Sequence, residues 1–497
     1  MKRGIGLKQQ ERPNLLLITV DQMRADCLSA AGHPIVETPN LDRLANSGVY
    51  FKNAYSATPS CLPARASIFT GMSQQSHGRV GYMDQVPWKY PHTLPGELAA
   101  AGYHTQCIGK MHVYPTRNLC GFHNVVLHDG YMHYNRDKSR VKASEHFDQC
   151  DDYLHWLRSQ AGADQDLIDH GLDCNASTVA RPWHMEEKYH PTNWAVSESI
   201  DFLRRRDPSK PFFLWSSFVR PHPPFDPPQV YFDMYKDLDI PLPPVGDWVD
   251  EVAAMNGDTS PETAFGKLKG RRLQRALAAY YALITHLDDQ IGRLMNALFE
   301  QGVLNNTIIL FTSDHGEMMG DHHLFRKSLP YEGSAKVPFM VYDPGNHLSL
   351  KRGKQVDQVV EMRDIMPTLL EAAGVPIPDS VDGSSVLPLC RGEETQWREY
   401  LHGEHSLGNL SNQYITDGQM KYIWFTQSGR EQLFNLTDDP QELTDLAPSP
   451  SMATELAKWR DILVQELNGR EEGYSDGTAL ITGRKPLACL SHLLNQS

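Results

Sequence analysis

The sequence predicts an α/β fold: a mainly parallel sheet sandwiched by helices, plus a small C-terminal α+β domain with an antiparallel sheet. Three observations lead there. Apolar runs of strand length alternate with helical patterns through residue 377. Leu15 to Val20 is almost continuously apolar, as in strands covered on both faces. After about residue 378 the rhythm shifts to short, more polar strand-like pieces.

The elements follow in order. Leu15 to Val20 reads as a buried parallel strand. Leu41 to Asn46 is a short helix pattern closed by Gly48. Thr93 to Ala101 is a second helix pattern, ended by Gly102, and Tyr103 to Ile108 returns as a strand. Asn193 to Arg206 reads as a helix and Pro211 to Phe218 as a strand. Arg271 to Gln301 is the longest helical stretch, with apolar residues at three- and four-residue steps. Strand Thr307 to Thr312 follows, then a short strand Pro338 to Tyr342 and a helix Asp364 to Ala373. The later pieces are Tyr400–Gly403, Asn412–Thr416, Lys421–Thr426 and Gln432–Leu436, then a helix from about Ser451 to Leu467. This places a catalytic domain over 1–377 and a smaller domain over 378–497. The stretch from about 120 to 190 is rich in Asp, His and Tyr, and reads as a long insertion over one end of the sheet. The last twenty residues read as a tail or docking arm.

The 497 residues carry a net charge of −14, with a pI near 5.9. An acidic chain is poorly suited to hold nucleic acid or an anionic membrane through its overall field. A positive pocket for an anionic substrate must therefore be built locally. The N-terminal MKRGIGLKQQERPN has no apolar core of a secretory signal, and no run of 18 apolar residues occurs. Eight cysteines at 27, 61, 107, 120, 150, 174, 390 and 489 contain no CxxC pair, which fits reduced thiols and a cytoplasmic location.

Chemistry is expected where strands end. Asp21 and Gln22 follow one apolar strand, and Asp314 and His315 follow another. Parallel neighbours would bring both pairs to one edge, where two carboxylates, an amide oxygen and an imidazole suit Ca²⁺, Mg²⁺ or Mn²⁺. Either pair alone reads equally well as a helix cap. The segment Ser60-Cys61-Leu62-Pro63-Ala64-Arg65-Ala66-Ser67-Ile68-Phe69-Thr70-Gly71 places Pro63 in a first helical turn and Gly71 at a helix stop. Cys61 then sits at a helix N-terminus, a good position for a nucleophile that handles an anion. A buried structural thiol is the plainer alternative.

Cys61-Leu-Pro-Ala-Arg65, with Ser67 and Thr70-Gly71, resembles the sulfatase signature C-x-P-x-R followed by T-G. Further segments are similar to that family in family order. These are Pro13-Asn14 leading to Asp21, Gly109-Lys110-Met111-His112, and Arg220-Pro221-His222-Pro223-Pro224-Phe225. Ser313-Asp314-His315-Gly316-Glu317 with Gly320-Asp321-His322 and Lys327 follows, then Asp364-Ile365-Met366-Pro367-Thr368. Gln432-Leu433-Phe434-Asn435-Leu436 with Asp439-Pro440 and Glu442 resembles the family's C-terminal hairpin.

The resemblance implies an alkaline-phosphatase-like fold and hydrolysis of sulfate esters, aryl or sugar. It implies that a formylglycine-generating enzyme oxidises Cys61 to formylglycine. The hydrated aldehyde attacks sulfur, and its second hydroxyl later expels sulfate. It implies one divalent metal, Ca²⁺ first and Mg²⁺ or Mn²⁺ as alternatives, held by Asp21, Gln22, Asp314, His315 and the residue at Cys61. Arg65, Lys110 and Lys327 would neutralise the sulfuryl oxygens, His112 would assist deprotonation, and His222 would protonate or hydrogen-bond the leaving oxygen.

Two positions depart from the pattern. Gln22 and His315 stand where some sulfatases have Asp and Asn, a version shared with bacterial sulfatases and phosphonate monoester hydrolases. Phosphonate or phosphodiester hydrolysis is therefore the second reading, against which Lys110 and His112 weigh. A non-catalytic binding protein is a third, opposed by Cys61, Arg65, both aspartates and both lysines. Residues that select the substrate are expected in 120–190 and around His402-Gly403-Glu404-His405.

Overall fold

The structure, a computed structural model, describes residues 12–130, 151–167, 171–172, 175–255 and 265–495. Its main sheet has eight strands. In chain order they are β1 (Asn14–Asp21), β2 (Val49–Phe51), β4 (His104–Gly109), β5 (Asn124–Leu127), β6 (Phe212–Pro221), β7 (Thr307–Ser313), β8 (Phe339–Tyr342) and β9 (Lys354–Val356), with β3 (Ala54–Tyr55) lying outside it. The spatial order is β5-β4-β6-β1-β7-β8-β2-β9. Strands β5 through β7 run parallel, and β8 is antiparallel to both neighbours.

Strand β1 is buried along its whole length because helices cover both faces. Its side chains alternate between two cores. Leu16, Ile18 and Val20 join one core with α1 (Pro39–Ser47), α3 (Pro191–Arg205) and α4 (Gly270–Glu300). Leu15 and Leu17 join the other with α2 (Cys61–Thr70) and α5 (Ile365–Ala373). Helix α1 is held at its start by Asp288 of α4, which accepts from the backbone N–H groups of Asn40 and Leu41 at 3.0 and 2.7 Å. Gly48 ends α1, although at φ −110° it is not the left-handed cap that the sequence suggested.

The short strand β3 pairs with β10 (Val360–Glu361). The second sheet contains β11 (Leu401–His405), β12 (Asn412–Thr416), β13 (Met420–Phe425) and β14 (Glu431–Asn435), all antiparallel. One face packs Tyr414, Ile423, Phe425 and Phe434 with Tyr55, Trp248 and Tyr331. The other packs Ile415, Tyr422, Trp424 and Leu433 against Trp459 and Leu463 of α6 (Ala453–Glu466). The C-terminal arm docks beside residues 78–86. Leu490 N–H donates to Gly78, Val80 N–H donates to Ala488, and Cys489 and Leu493 pack on Val86.

One expectation needs correction. The stretch from about 120 to 190 is not wholly an insertion, because β5 within it is an edge strand of the main sheet paired with β4. Its alternating burial lacks the continuous apolar run that revealed β1. Residues 131–150 of that stretch lie outside the described residues.

Candidate active site

Four adjacent parallel strands, β4, β6, β1 and β7, each end at a site residue. Lys110 follows β4, His222 follows β6, Asp21 closes β1, and Asp314 follows β7. This is the carboxyl edge, where open α/β sheets form ligand crevices. The close approach of β4 to β6 depends on Gly109. A Cβ there would lie 1.9 Å from the Ser217 carbonyl oxygen, and its φ of +94° also favours glycine.

Cys61 is the first residue of α2, a ten-residue helix that Gly71 stops in the left-handed conformation at φ +67°. Ser60 at the N-cap does not cap the helix with its side chain. Its hydroxyl instead shares a 2.8 Å hydrogen bond with His405 Nε2 of β11. Cys61 Sγ lies 3.3 Å from His315 Nε2, 3.6 Å from Lys110 Nζ and 3.7 Å from Asp21 Oδ1. Burial and Asp21 push this thiol up, but Lys110, Lys327 and His315 outweigh them and hold it below its ordinary value.

One ligand atom from each of Asp21, Cys61, Asp314 and His315 lies within 4.8 Å of all the others, and all four residues are buried. The donor chemistry fits a divalent cation. His315 Nδ1–H donates to the Gly316 carbonyl at 2.9 Å, which turns the Nε2 lone pair inward. Nε2 lies 3.3 Å from Asp21 Oδ1 and 3.7 Å from Asp314 Oδ1. Burial pushes His315 down, yet Asp314, Cys61 and Asp21 raise it to about 10. A field negative enough to hold a proton there suits a metal cation in the proton's place. Asp21, Asp314 and His315 would hold the ion together with the residue at 61.

Gln22, the expected weaker ligand, directs its side-chain amide to two partners. Nε2 donates to Glu317 Oε2, and Oε1 accepts from Lys327 Nζ at 2.7 Å.

The cations converge on the same point. Lys110 Nζ donates to Asp21 Oδ2. Burial would lower Lys110, but Asp21 and Cys61 raise it, so it stays charged. Burial would raise Asp21, but Lys110 pulls it well down. Arg65 spans three partners: Asp314 Oδ2 at 3.1 Å, the Lys110 carbonyl at 2.8 Å and Ser217 Oγ at 3.0 Å. Such a fork is a geometry that only a guanidinium supplies.

His222 Nδ1 donates to the Pro223 carbonyl at 2.7 Å. Burial and Lys327 hold this imidazole well below its ordinary value, so Nε2 is an acceptor in the neutral ring. His112 is buried at a left-handed φ of +57°. Its N–H and that of Met111 both donate to Asp129 Oδ1, at 2.9 and 2.7 Å.

Several members were not foreseen. Asp129 lies two residues beyond β5, the same strand-end signal that marked Asp21 and Asp314. Ser217 carries no comparable signal, being a common residue given meaning by distant Arg65, whereas Glu317, Ser60 and His405 lie in segments already singled out but without the partners the structure gives them.

Carboxylates, an imidazole and a thiol at a helix start, gathered with three cations at the carboxyl edge of this sheet, suit a metal-assisted hydrolase with the alkaline-phosphatase-like fold. The chain belongs to the sulfatase family, whose family model matches residues 13–375. A second match, to the C-terminal region of N-sulphoglucosamine sulphohydrolase, covers residues 320–468. The chain is 58% identical over 482 residues to an arylsulfatase of Clostridium perfringens (strain 13 / Type A), covering 97% of this chain and 100% of that protein. It is 31% identical over 492 residues to the multifunctional alkaline phosphatase superfamily protein PehA of Trinickia caryophylli, covering 89% and 92%. The solved phosphonate monoester hydrolase of Agrobacterium radiobacter superposes with a TM-score of 0.72 at 27% identity, covering 91% of this chain and 95% of that one. Among the described residues no helix is long and apolar enough to cross a membrane.

Proposed function

We propose that this chain hydrolyses sulfate monoesters, aryl sulfates first among them, through a formylglycine made from Cys61 and one divalent metal, Ca²⁺ before Mg²⁺ or Mn²⁺. One observation carries the reading. Lys110 Nζ bonds Asp21 and lies 3.6 Å from Cys61 Sγ in a buried pocket, so a full charge faces the nucleophile's position. The 58% identity to an arylsulfatase supports the aryl preference.

The bound metal supplies positive charge that acidifies the nucleophile and draws electron density from the sulfuryl oxygens. Asp21, Asp314 and His315 would hold it, with Gln22 as a weaker fourth ligand. Arg65 fixes Asp314 and the Lys110 backbone, while Lys110 and Lys327 neutralise the anionic group. His112 assists deprotonation at residue 61. His222 Nε2 faces the leaving oxygen and accepts in its neutral form, so donation requires a second proton on the ring. A formylglycine-generating enzyme acts during maturation. Buried free thiols at Cys27, Cys107, Cys390 and Cys489 support a reducing, cytoplasmic setting.

Phosphonate monoester hydrolysis is the second reading, supported by the Gln22 and His315 pair and the fold likeness to phosphonate monoester hydrolases. The test is a side-by-side assay on an aryl sulfate and an aryl phosphonate, with mass spectrometry of the peptide holding residue 61. Faster sulfate turnover with the aldehyde or its hydrate at 61 is expected. Faster phosphonate turnover, or full turnover with unmodified cysteine, would overturn the proposal.

A further inference from the structure

Gln22 is an odd choice of metal ligand, because a carboxamide has an oxygen end that coordinates and a nitrogen end that repels a cation. Its orientation must be set by partners. A carboxylate only accepts hydrogen bonds and an ammonium only donates them. Glu317 takes the Nε2 end, and Lys327 donates to the Oε1 end at 2.7 Å. The amide can therefore be placed one way round only. Gln22 abuts the cluster directly, because its backbone N–H donates to Asp314 Oδ1 at 3.2 Å and it follows Asp21 in the chain.

Glu317 is itself fully buried and fully used. Oε2 accepts from Gln22 and from Ser177 Oγ at 2.9 Å. Oε1 accepts from the backbone N–H groups of Met319, at 2.9 Å, and Arg326. The last contact ties down the residue next to Lys327. The Gln22 main chain is clamped as well, with its carbonyl accepting from Tyr280 Oη at 2.7 Å and its N–H donating to Asp314 Oδ1 at 3.2 Å. At φ +70° it holds a conformation that non-glycine residues seldom adopt, so the surroundings impose its place.

We propose that Glu317 is a positioning residue that orients the Gln22 carboxamide, oxygen toward the metal site, and thereby sets metal affinity. The proposal rests on reading Asp21, Asp314 and His315 as that site. It also restores, one bond further out, the negative charge that a glutamine lacks where other members have an aspartate. Outer carboxylates of this kind typically change metal affinity by roughly 10- to 100-fold.

The test is calorimetric titration of metal-depleted protein with calcium, and with manganese as a second probe, combined in a double-mutant cycle. Glu317→Gln and Gln22→Ala should each weaken binding by roughly 10- to 100-fold. The double variant should bind no worse than the weaker single, because one effect acts through the other. A merely structural role would instead lower the melting temperature of the metal-free protein and add to the effect of Gln22→Ala. Ser177→Ala loosens Glu317 without altering it and serves if Glu317→Gln does not fold. It should weaken binding modestly in the wild type and not at all beside Gln22→Ala. Wild-type affinity in Glu317→Gln, or losses that multiply in the double variant, would overturn the proposal. Unimpaired binding by Asp314→Asn would instead overturn the metal-site reading beneath it.

Discussion

Ser60 and His405, 345 residues apart, share a 2.8 Å hydrogen bond that ties the second sheet to the first turn of the helix that begins at Cys61. Both are buried. The N-cap side chain that would ordinarily serve its own helix is thus used to join that helix to the second sheet.

Acid should loosen this joint. Burial pushes His405 down to about 4, from an ordinary 6.5. Between those values the unfolded chain binds a proton that the folded one refuses. The stabilisation is complete above pH 6.5 and is lost as pH falls toward 4, about 3 kcal/mol from this group. In urea titrations, His405→Gln should show a smaller drop in unfolding free energy between pH 7 and pH 4.5 than wild type, by roughly 2 kcal/mol. An unchanged drop would assign the acid sensitivity to other depressed imidazoles such as His77 and His286.

Asp314→Asn should lose metal and activity together. Asp314 is fully buried and accepts from Arg65, Gln22 and His315. The asparagine keeps the shape but removes the charge that balances both Arg65 and the cation. Metal content measured by emission spectroscopy should fall below stoichiometric, with turnover down on the order of a hundredfold or more. Full metal with full turnover would mean that the ligands are misassigned.

Arg65→Lys should be a poor substitute despite its conserved charge. An ammonium on a flexible stem cannot meet Asp314, the Lys110 carbonyl and Ser217 in one plane. A loss in kcat/KM of roughly a hundredfold is expected, comparable to removing a transition-state contact. Activity within threefold of wild type would show that only the charge matters.

Lys110→Ala separates the two substrate classes. A sulfate monoester presents three oxygens that share its charge, whereas a phosphonate monoester replaces one of them with carbon. Loss of the lysine should cut sulfate hydrolysis on the order of a hundredfold and phosphonate hydrolysis far less. Equal losses on paired substrates would remove Lys110 as the discriminating group.

Much of this site was legible because it is built on strand ends. Continuous apolar runs announced β1 and β7, and the polar residues after them announced Asp21 and Asp314. Strands of two or three residues, such as β2, β3 and β10, were too short to show a period. The edge strand β5 hid within a polar stretch because it is only half covered. Asp129 could have been found by the strand-end signal once β5 was seen. Ser217 could not, since nothing local distinguishes a hydroxyl aimed at Arg65 from an ordinary polar side chain, and Glu317 was visible only as a member of the Ser313–Glu317 segment, not as the partner of Gln22.

Cys61 is 1% exposed in the finished fold. A thiol this enclosed, with Lys110 Nζ 3.6 Å from its Sγ, does not present the extended segment that a second enzyme's active site needs. The proposed oxidation of Cys61 to formylglycine would therefore belong to the protein's birth and compete with the closing of its sheets. The active fraction of a preparation would then be decided while the chain is still open. A variant that folds faster, or one produced where the oxidising partner is scarce, would emerge just as stable and proportionately less active.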